Sequence, residues 1–495
     1  MGPGPDQLNA QTVARCAHGL LEAGLRELPG LRTRGLVVGR DARAYSDAFA
    51  DVVAAVAAVR GVPVRRLPGP VPTPLVSFAV RRTGASLGVM VTASHNPPVY
   101  NGLKVFGPGG AQIVPPFDAA VEAAIERASA TVPEHDGAFD SLDLESDYLD
   151  ALVRCRASAE PLDVRAVYSA LHGVGYAPFR RLAERHGLEL SPVVEQCAPD
   201  GRFPTVTSPN PEDASALGLA LARARAESAE LVLVHDPDAD RLAVAVLHEG
   251  EHVVLSGDQI GVLLADHPLS RDPAGSVLLS TVVSSRMIER LAAARGATSL
   301  RTPTGFKWMA RQAAALGSGL RVRLAYEQAL GFSVEDVVRD KDGLGAGLTV
   351  AELFATQRGR GRTLVDRWAE LETELGAHRT ESVTLAWAPG EEDRARAAFE
   401  AYRAGGPLRR AGSARSTRTD DREGASDRGD APPFDLVLEQ FEDGSWVGVR
   451  PSGTEPKLKV YIEGYAPPGP DAGPRAAETA AALAAAVRTR LAETP

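Results

Sequence analysis

Lysine and cysteine are both scarce in this sequence, with only five lysines and three cysteines among 495 residues. Cys16, Cys155 and Cys197 are odd in number, widely spaced and without a CxxC pair. This pattern excludes a disulfide framework and argues against a structural zinc site. We therefore interpret the three cysteines as free thiols.

Long apolar runs are also missing. No stretch approaches the roughly 20 apolar residues that a membrane-spanning helix needs. The start, MGPGPDQLNAQTVARCAHGL, lacks the basic segment and apolar block of a signal peptide. A formal net charge of −10 argues against a nucleic-acid-binding protein that depends on a broad basic surface. The sequence predicts a cytoplasmic protein with neither a membrane nor a nucleic acid as its partner, and it gives no indication of the oligomeric state.

The remaining composition, 44% hydrophobic and 24% charged, is typical of a globular protein. At about 150 residues per domain, the length predicts roughly three to four domains. Strand-like runs such as GLVVGRDAR precede helical stretches such as SDAFADVVAAVAAVRG, which indicates α/β layering. We place the domains at 1–150, 151–255, 256–375 and 376–495. In the last of these domains, the sequence predicts strands followed by a helix. It also predicts a disordered insertion at 405–433, where apolar residues are almost absent.

The first loop with potentially reactive side chains is TASHNPPVYNGLKV, which follows the buried-strand pattern SLGVMV. Ligand sites of open α/β sheets gather beyond the carboxyl ends of strands. Ser94 is therefore a candidate nucleophile, with His95 and Lys104 as proton-transfer groups. The alternative is a turn at Asn96-Pro97 in which Ser94 and His95 cap backbone groups. The loop by itself leaves both interpretations open.

The second loop is DPDADR, between the apolar runs LVLV and LAVAV. Asp236, Asp238 and Asp240 would repel one another unless a cation lay between them. An EF-hand is excluded, because its glycine position is Arg241 and its glutamate position is Leu247. Mg²⁺ fits better, since it is commonly held by a few carboxylates together with a phosphate oxygen. A solvated acidic turn is the alternative.

The third loop is RPSGTEPKLK. Ser452, Gly453 and Thr454 can offer hydroxyl and backbone N–H donors, and Arg450 can add a bidentate fork, which together suit a phosphate dianion. A simple glycine hairpin turn is the alternative.

The fourth feature is the pair TPTGFKWM and YEQALGF. Glu327 could accept hydrogen bonds from sugar hydroxyls, and Lys307 could hold a phosphate. Each could equally be an ordinary residue at a helix end. Four of the five lysines lie in or beside these loops, whereas arginine is the cation almost everywhere else. An ammonium can take part in proton transfer in ways that a guanidinium cannot.

Jointly, these loops favour phosphoryl transfer, which depends mainly on positioning and charge stabilisation. The motifs TASHNPPVYNGLKV, DPDADR, TGFKWM, YEQALGF and RPSGTEPKLKVYIE, in this order, resemble the α-D-phosphohexomutase superfamily of phosphoglucomutases and phosphomannomutases. The resemblance covers nearly the whole chain. It implies three related mixed-sheet α/β domains and a smaller C-terminal α+β domain, in a heart-shaped arrangement around a central cleft.

The resemblance also implies roles for individual residues. Ser94 resembles the residue that carries the phosphate, with His95 and Lys104 as its acid/base and positioning partners. Asp236, Asp238 and Asp240 resemble Mg²⁺ ligands, completed by the phosphate on Ser94. The residues expected to contact the substrate sugar and its distal phosphate are Arg241, Lys307, Glu327, Arg450, Ser452, Gly453 and Thr454.

The implied reaction moves phosphate between positions 1 and 6 of a hexose, glucose or mannose, through a sugar bisphosphate that also serves as activator. Ala329 stands where many bacterial members carry serine, so the sugar loop is more similar to the branch that contains phosphoglucomutase-2, phosphopentomutase and bisphosphate synthases. A phosphopentomutase or a sugar-bisphosphate synthase is therefore the alternative activity.

The FGTxGxRG-type motif that usually opens this family is absent from the sequence. We expect either a misassigned start codon or a real truncation, which would remove the first strand of domain one and an active-site arginine. A non-catalytic sugar-phosphate binding protein is therefore an alternative from a different functional class. A peptide from upstream of Met1 in native cell extract would identify a start-codon error.

Overall fold

The computed structural model describes residues 8–135, 139–388, 390–408, 416–420, 434–452 and 457–492. The first domain contains a five-stranded sheet in the order β4-β3-β1-β2-β5. Its strands are β1 Leu36–Arg40, β2 Val64–Arg66, β3 Leu87–Val91, β4 Leu103–Phe106 and β5 Asp140–Ser141. Its helices are α1 Ala10–Glu27, α2 Leu31–Arg34, α3 Ser46–Val59, α4 Thr73–Thr83, α5 Phe117–Arg127 and α6 Glu145–Val153.

The second sheet has the order β10-β9-β8-β6-β7 and the third has the order β12-β11-β13-β14. The strands of the second sheet are β6 Val164–Ser169, β7 Leu188–Pro192, β8 Leu231–His235, β9 Leu242–His248 and β10 Glu251–Val254. Those of the third are β11 Ser276–Thr281, β12 Thr298–Thr302, β13 Arg321–Glu327 and β14 Gly331–Val334. The accompanying helices are α7 Tyr176–Glu184, α8 Val194–Cys197, α9 Gly218–Glu227, α10 Gly257–Leu269, α11 Met287–Arg295, α12 Phe306–Ala314, α13 Gly343–Arg358 and α14 Leu364–Leu375.

The fourth sheet is entirely antiparallel, in the order β15-β19-β18-β17-β16. Its strands are β15 Ala377–Ala386, β16 Ser416–Asp420, β17 Val437–Phe441, β18 Trp446–Pro451 and β19 Lys457–Ala466, and its helices are α15 Glu392–Ala404 and α16 Ala472–Ala492. Four sheets with these connections confirm the expected fold class.

The first three sheets share one topology. In each, the first strand (β1, β6 or β11) pairs in parallel with the next two, and the third strand (β3, β8 or β13) also pairs antiparallel with a fourth. The third strands are rich in Val and Leu, and β3 and β8 are buried along their whole length, as expected for strands covered on both faces. The three domains are therefore structurally related although their sequences show no obvious repeat.

Buried contacts join the first three domains. The Phe78 ring of α4 packs at 5.5 Å from the Tyr148 ring of α6. The Tyr148 hydroxyl donates a 2.7 Å hydrogen bond to Asp342, which caps the N-terminus of α13. Burial raises the pKa of Asp342 to about 6. Side chains from three domains thus share one hydrophobic core.

The predicted disorder at 405–433 needs correction at residues 416–420. They form β16, which pairs antiparallel with β17 over five residue pairs. Thr417 and Thr419 favour an extended backbone, and the ladder with β17 gives this edge strand backbone partners despite its low apolar content. Residues 409–415 and 421–433 lie outside the described residues.

Among the helices that are described, none combines the length and the apolar character that crossing a bilayer requires.

The contact between β19 and α16 predicts one stability effect. A Cβ added at Gly464 would overlap the carbonyl oxygen of Ala476 and lie 2.6 Å from the backbone nitrogen of Ala480. Because helix backbone cannot yield locally, we expect Gly464→Ala to destabilise the fourth domain by about 2 kcal/mol. Calorimetry should show its unfolding transition several degrees lower.

Gly218→Ala is the matched control, because a Cβ at Gly218, the first residue of α9, meets nothing within 4 Å. This variant should melt at the wild-type temperature or slightly above it. Equal melting temperatures for the two variants would contradict the packing argument.

Candidate functional site

Three of the motif loops arise at the same place in three related sheets. Each joins the third parallel strand to its antiparallel neighbour: 92–102 joins β3 to β4, 236–241 joins β8 to β9, and 328–330 joins β13 to β14. Arg241 and Gly331 form a β-bridge that ties the second loop to the third. The shared topology therefore delivers a serine, an acidic cluster and a sugar-loop motif to one region.

Ser94 lies at the beginning of the first loop with its backbone in the left-handed region, at a φ of 51°. Its N–H donates to the Thr92 hydroxyl over 2.9 Å. Its Oγ lies 3.0 Å from Oδ2 of Asp236, to which it donates, and 3.4 Å from Nδ1 of His95. The turn thus holds the hydroxyl of the first domain against the acidic loop of the second.

The three carboxylates form a fully buried cluster. Asp236, Asp238 and Asp240 are each 0% exposed, and one carboxylate oxygen from each lies within 4.8 Å of the others. Oδ1 of Asp236 accepts the backbone N–H groups of Asp240 and Arg241, over 3.1 and 3.0 Å. Alternating spacing in a tight turn therefore points all three acids into one small volume.

Lys104 supplies a counter-charge from strand β4 of the first domain. Its Nζ donates to Oδ2 of Asp238 over 2.6 Å and to Oδ2 of Asp240 over 2.7 Å. Lys341 adds a second ammonium, 3.3 Å from Oδ2 of Asp240. Burial lowers the pKa of Lys104, but the attraction of the two carboxylates outweighs it and the net shift is upwards. Both ammonium groups therefore remain charged.

The same electrostatics shift the pKa values of the acids and of His95. Burial, together with repulsion from Asp238 and Asp240, raises the pKa of Asp236. Burial also opposes ionisation of Asp240, but Lys104 and Lys341 lower its pKa overall. Burial and the Arg241 guanidinium lower the pKa of His95 to about 3. The imidazole is therefore neutral at physiological pH.

The donor set fits a divalent cation. Oδ1 of Asp238 and Oδ1 of Asp240 are buried and, among the residues described, receive no hydrogen bond. Leaving a buried ionised oxygen unpartnered is costly, whereas carboxylate oxygens are preferred ligands of hard cations. The cluster of Asp236, Asp238 and Asp240 can therefore bind a metal ion.

Arg241 and Glu327 continue the charged lining. Arg241 forms a 2.9 Å ion pair with Glu212. Burial lowers the pKa of Arg241, but Glu212 and other acids, including Glu327, raise it overall. Glu327, at the end of β13, accepts the N–H of Gly305 over 2.8 Å. This bond joins the TGFKWM and YEQALGF motifs to each other.

Lys307 and Arg450 lie next to that junction. Lys307 Nζ is 3.8 Å from a carboxylate oxygen of Asp118 and 5.3 Å from the centre of the Trp308 ring. Arg450 of the fourth domain donates to the Thr304 hydroxyl. All four domains thus contribute to one cleft. In the third motif, Ser452 donates its N–H to the carbonyl of Lys457 over 2.8 Å; Gly453 and Thr454 lie outside the described residues.

A cavity of about 410 Å³ separates the sugar loop from the sheet of the fourth domain. Gln328 and Ala329 line one wall, and Thr384, Lys459 and Tyr461 line the opposite wall. Hydroxyl, amide and ammonium groups line the cavity together with the carboxylates of Glu212, Asp258 and Glu381 and with apolar side chains such as Trp446.

Sequence reasoning missed several residues of this region. Lys341 belongs to none of the four motif loops, although the scarcity of lysine in this sequence is a usable signal for it. Arg43, whose guanidinium bonds to four carbonyls of the Ser94 loop, carried no distinguishing signal among the many arginines. Thr73 donates to Asp238 across 165 positions of sequence. Only tertiary contact brings these residues to the site.

Comparison with known proteins agrees with this architecture. Family models of phosphoglucomutase/phosphomannomutase match at 2–131 (alpha/beta/alpha domain I), 146–250 (domain II), 256–373 (domain III) and 414–472 (C-terminal domain). A Haemophilus influenzae protein named "Probable phosphomannomutase" is 35% identical over 470 residues, which cover 92% of this chain and 93% of that protein. Human phosphopentomutase is 32% identical over 520 residues, which cover 95% of this chain and 84% of that protein.

A solved structure gives the same result at the level of the fold. The crystal structure of a phosphoglucomutase/phosphomannomutase family protein from Burkholderia thailandensis superposes with a TM-score of 0.74 at 22% identity, covering 100% of this chain and 96% of that one. The resemblance identified from the motifs is thereby confirmed over four domains. The chain belongs to the phosphoglucomutase/phosphomannomutase family of intramolecular phosphotransferases.

Proposed function

We propose that this enzyme moves phosphate between positions 1 and 6 of glucose or mannose phosphate, with Ser94 as the phosphate carrier. The observation that carries the proposal is the contact of Ser94 Oγ, 3.0 Å from Asp236, in a buried acidic cluster that Lys104 bridges. A phosphate on Ser94 would meet the Lys104 ammonium and a cation held by the three acids. Such charge stabilisation is what phosphoryl transfer requires.

The cation we propose is Mg²⁺, held by Asp236, Asp238, Asp240 and an oxygen of the phosphate on Ser94. Its contribution when bound is to neutralise charge on the transferring phosphoryl group. His95, neutral and 3.4 Å from Ser94 Oγ, is suited to accept the proton of an attacking hydroxyl. Lys104 stays protonated and orients the phosphate.

The transfer occurs in two halves. Phosphoserine 94 gives its phosphoryl group to the free hydroxyl of the sugar phosphate, which becomes a bisphosphate, and Ser94 leaves as the hydroxyl. The bisphosphate then reverses its orientation, and its other phosphoryl group returns to Ser94. A trace of sugar 1,6-bisphosphate accordingly acts as activator, because it phosphorylates Ser94 directly.

Reorientation requires a second site that accepts either end of the sugar. We assign the phosphate that is not reacting to Arg450 and the loop that carries Ser452, Gly453 and Thr454. Sugar hydroxyls and the phosphate would also contact Glu327, Lys307 and Arg241; Arg241 pairs with Glu212, which lines the cavity beside the sugar loop. In this scheme 1–150 carries the phosphoserine, 151–255 the metal, 256–375 the sugar loop and 376–495 the phosphate clamp.

A pentose phosphate is the second candidate substrate. Ala329 offers no hydroxyl to the sugar, and the 32% identity to human phosphopentomutase extends over most of both chains. Losing one hydrogen-bonding group in a pocket relaxes discrimination between substrates that differ in their hydroxyl groups, as a hexose and a pentose do.

The first test is the conversion of glucose 1-phosphate to glucose 6-phosphate with Mg²⁺ and a trace of glucose 1,6-bisphosphate. We expect Ser94→Ala to lower kcat by at least about 1,000-fold, because alanine has no hydroxyl to carry the phosphoryl group. Ser129→Ala, which changes an exposed serine of the same domain, should retain wild-type turnover.

The same assay with mannose 1-phosphate and ribose 1-phosphate distinguishes the candidate substrates. A kcat/KM at least about tenfold higher for ribose 1-phosphate would favour the pentose reaction. Binding of all three sugars without turnover by wild type would contradict the mutase proposal altogether.

The second test concerns the metal. Titration calorimetry should show Mg²⁺ binding to the wild type, and Asp238→Asn should weaken it by at least about tenfold, because one buried anionic ligand is lost. Asp163→Asn is the matched control: Asp163 is exposed and has a left-handed backbone, which asparagine also adopts. Equal Mg²⁺ affinity of the two variants would rule out the acidic cluster as the metal site.

A further inference from the structure

The Arg43 guanidinium lies inside the Ser94 loop, with only 4% of the residue exposed. Its Nη2 donates to the carbonyls of Ser94 and Asn96, over 2.6 and 2.5 Å. Its Nη1 donates to the carbonyls of Pro97 and Tyr100, over 2.9 and 3.0 Å. One side chain from the turn after β1 therefore bonds to four carbonyls within seven consecutive residues.

The other side of the Ser94 peptide unit is anchored to the same place. The Ser94 N–H donates to the Thr92 hydroxyl over 2.9 Å, and that hydroxyl donates to Oδ2 of Asp41 over 2.7 Å. Oδ1 of Asp41 accepts the backbone N–H of Arg43 over 2.9 Å. Asp41 is 0% exposed. The N–H and the C=O of Ser94 are thus both connected to Asp41, through Thr92 and through Arg43.

The second domain covers this arrangement. The Phe203 ring, itself 2% exposed, lies 4.9 Å from the Arg43 guanidinium. A Cβ on Gly201 would come within 2.7 Å of the Arg43 Cα, so the two domains are in close backbone contact here. The guanidinium is therefore held between the Ser94 loop and the domain that carries the acidic cluster.

The conformation of Ser94 explains what such anchoring is needed for. A residue other than glycine rarely adopts a positive φ, and it keeps one only when the surroundings over-determine it. The φ of 51° is what directs Ser94 Oγ to Asp236. If the loop relaxed into an ordinary turn, the hydroxyl would move away from the acidic cluster.

We propose that Arg43, together with Asp41 and Thr92, is a positioning clamp that fixes the phosphate-carrying hydroxyl relative to the metal and the substrate. The inference rests on the proposed role of Ser94 as phosphate carrier. A planar guanidinium has five donors in a rigid fork and can span four carbonyls, whereas an ammonium presents three donors from a single atom. The shape of Arg43, rather than its charge alone, is what the clamp requires.

The test compares Arg43→Lys with Arg40→Lys. Arg40 lies three residues earlier, on β1, and forms an ion pair with the exposed Asp47; it also donates to the backbone carbonyl of Asp41, which the clamp does not use. We expect Arg43→Lys to lower kcat for glucose 1-phosphate by about 100-fold, since small misplacement of a reacting group has that effect, with KM changed by less than about threefold. Arg40→Lys should match the wild type. A kcat for Arg43→Lys within about threefold of wild type would overturn the clamp.

Hydrogen–deuterium exchange supplies a readout that does not need turnover. Exchange of 92–101 should be at least about tenfold faster in Arg43→Lys than in Arg40→Lys, with exchange of 446–451 in the fourth domain unchanged. Unchanged protection of 92–101 would overturn the inference. If the wild type converts no sugar phosphate, the proposed function fails, and the exchange result alone decides on the clamp.

The Thr92 hydroxyl gives an independent variant in case Arg43→Lys does not fold. Thr92→Val keeps the shape but removes the link to Asp41, and we expect at least about a tenfold loss of kcat. Thr92→Ser keeps the hydroxyl and should restore turnover to within about threefold of wild type. Equal kcat for the valine variant and the wild type would contradict the clamp.

Discussion

Three fully buried carboxylates in one turn are the constraint on which the rest of this structure depends. Asp236, Asp238 and Asp240 repel one another, and at 0% exposure they are shielded from the bulk solvent that would weaken this repulsion. Their counter-charges come from elsewhere: Lys104 from the first domain and Lys341 from the loop after β14. The packing of three domains and the electrostatics of the site therefore depend on each other, because separating the domains would remove the ammonium groups from the acids.

Repetition of one topology explains how the loops converge. Each of the first three sheets ends its third parallel strand in a loop that leads to an antiparallel neighbour. The three loops differ in length and in the chemistry they carry: the first has a hydroxyl and an imidazole, the second has an acidic cluster, and the third follows Glu327 at the end of β13. The fourth domain is antiparallel throughout and contributes through the hydrogen bond from Arg450 to Thr304. Side chains of all four domains thus meet in one region.

The electrostatic environment of the site gives neighbouring groups different protonation states. Lys104 and Lys341 stay protonated because carboxylates surround them, whereas His95 stays neutral because burial and Arg241 disfavour its cation. Fixed cations suit the binding of phosphate, and a neutral imidazole suits the acceptance of a proton. Arg43 differs from all of these, since its guanidinium donates hydrogen bonds to four backbone carbonyls. Its part is to maintain the geometry in which the others act.

The sequence by itself determined what is local. Asp236, Asp238 and Asp240 lie within five residues between two apolar runs, so their convergence follows from the turn, and the strand before Ser94 follows from SLGVMV. The α/β class could be predicted from the alternation of strand-like and helical stretches. The family could be predicted because long motifs occur in a fixed order. Only the tertiary structure decided the partners of these groups: Arg43 is 51 residues from Ser94, and Thr73 is 165 from Asp238. Pattern and propensity describe a residue's neighbours along the chain, whereas charge compensation and loop anchoring depend on neighbours in space. The strand at 416–420 has the same explanation, since its pairing with β17, rather than its composition, orders it.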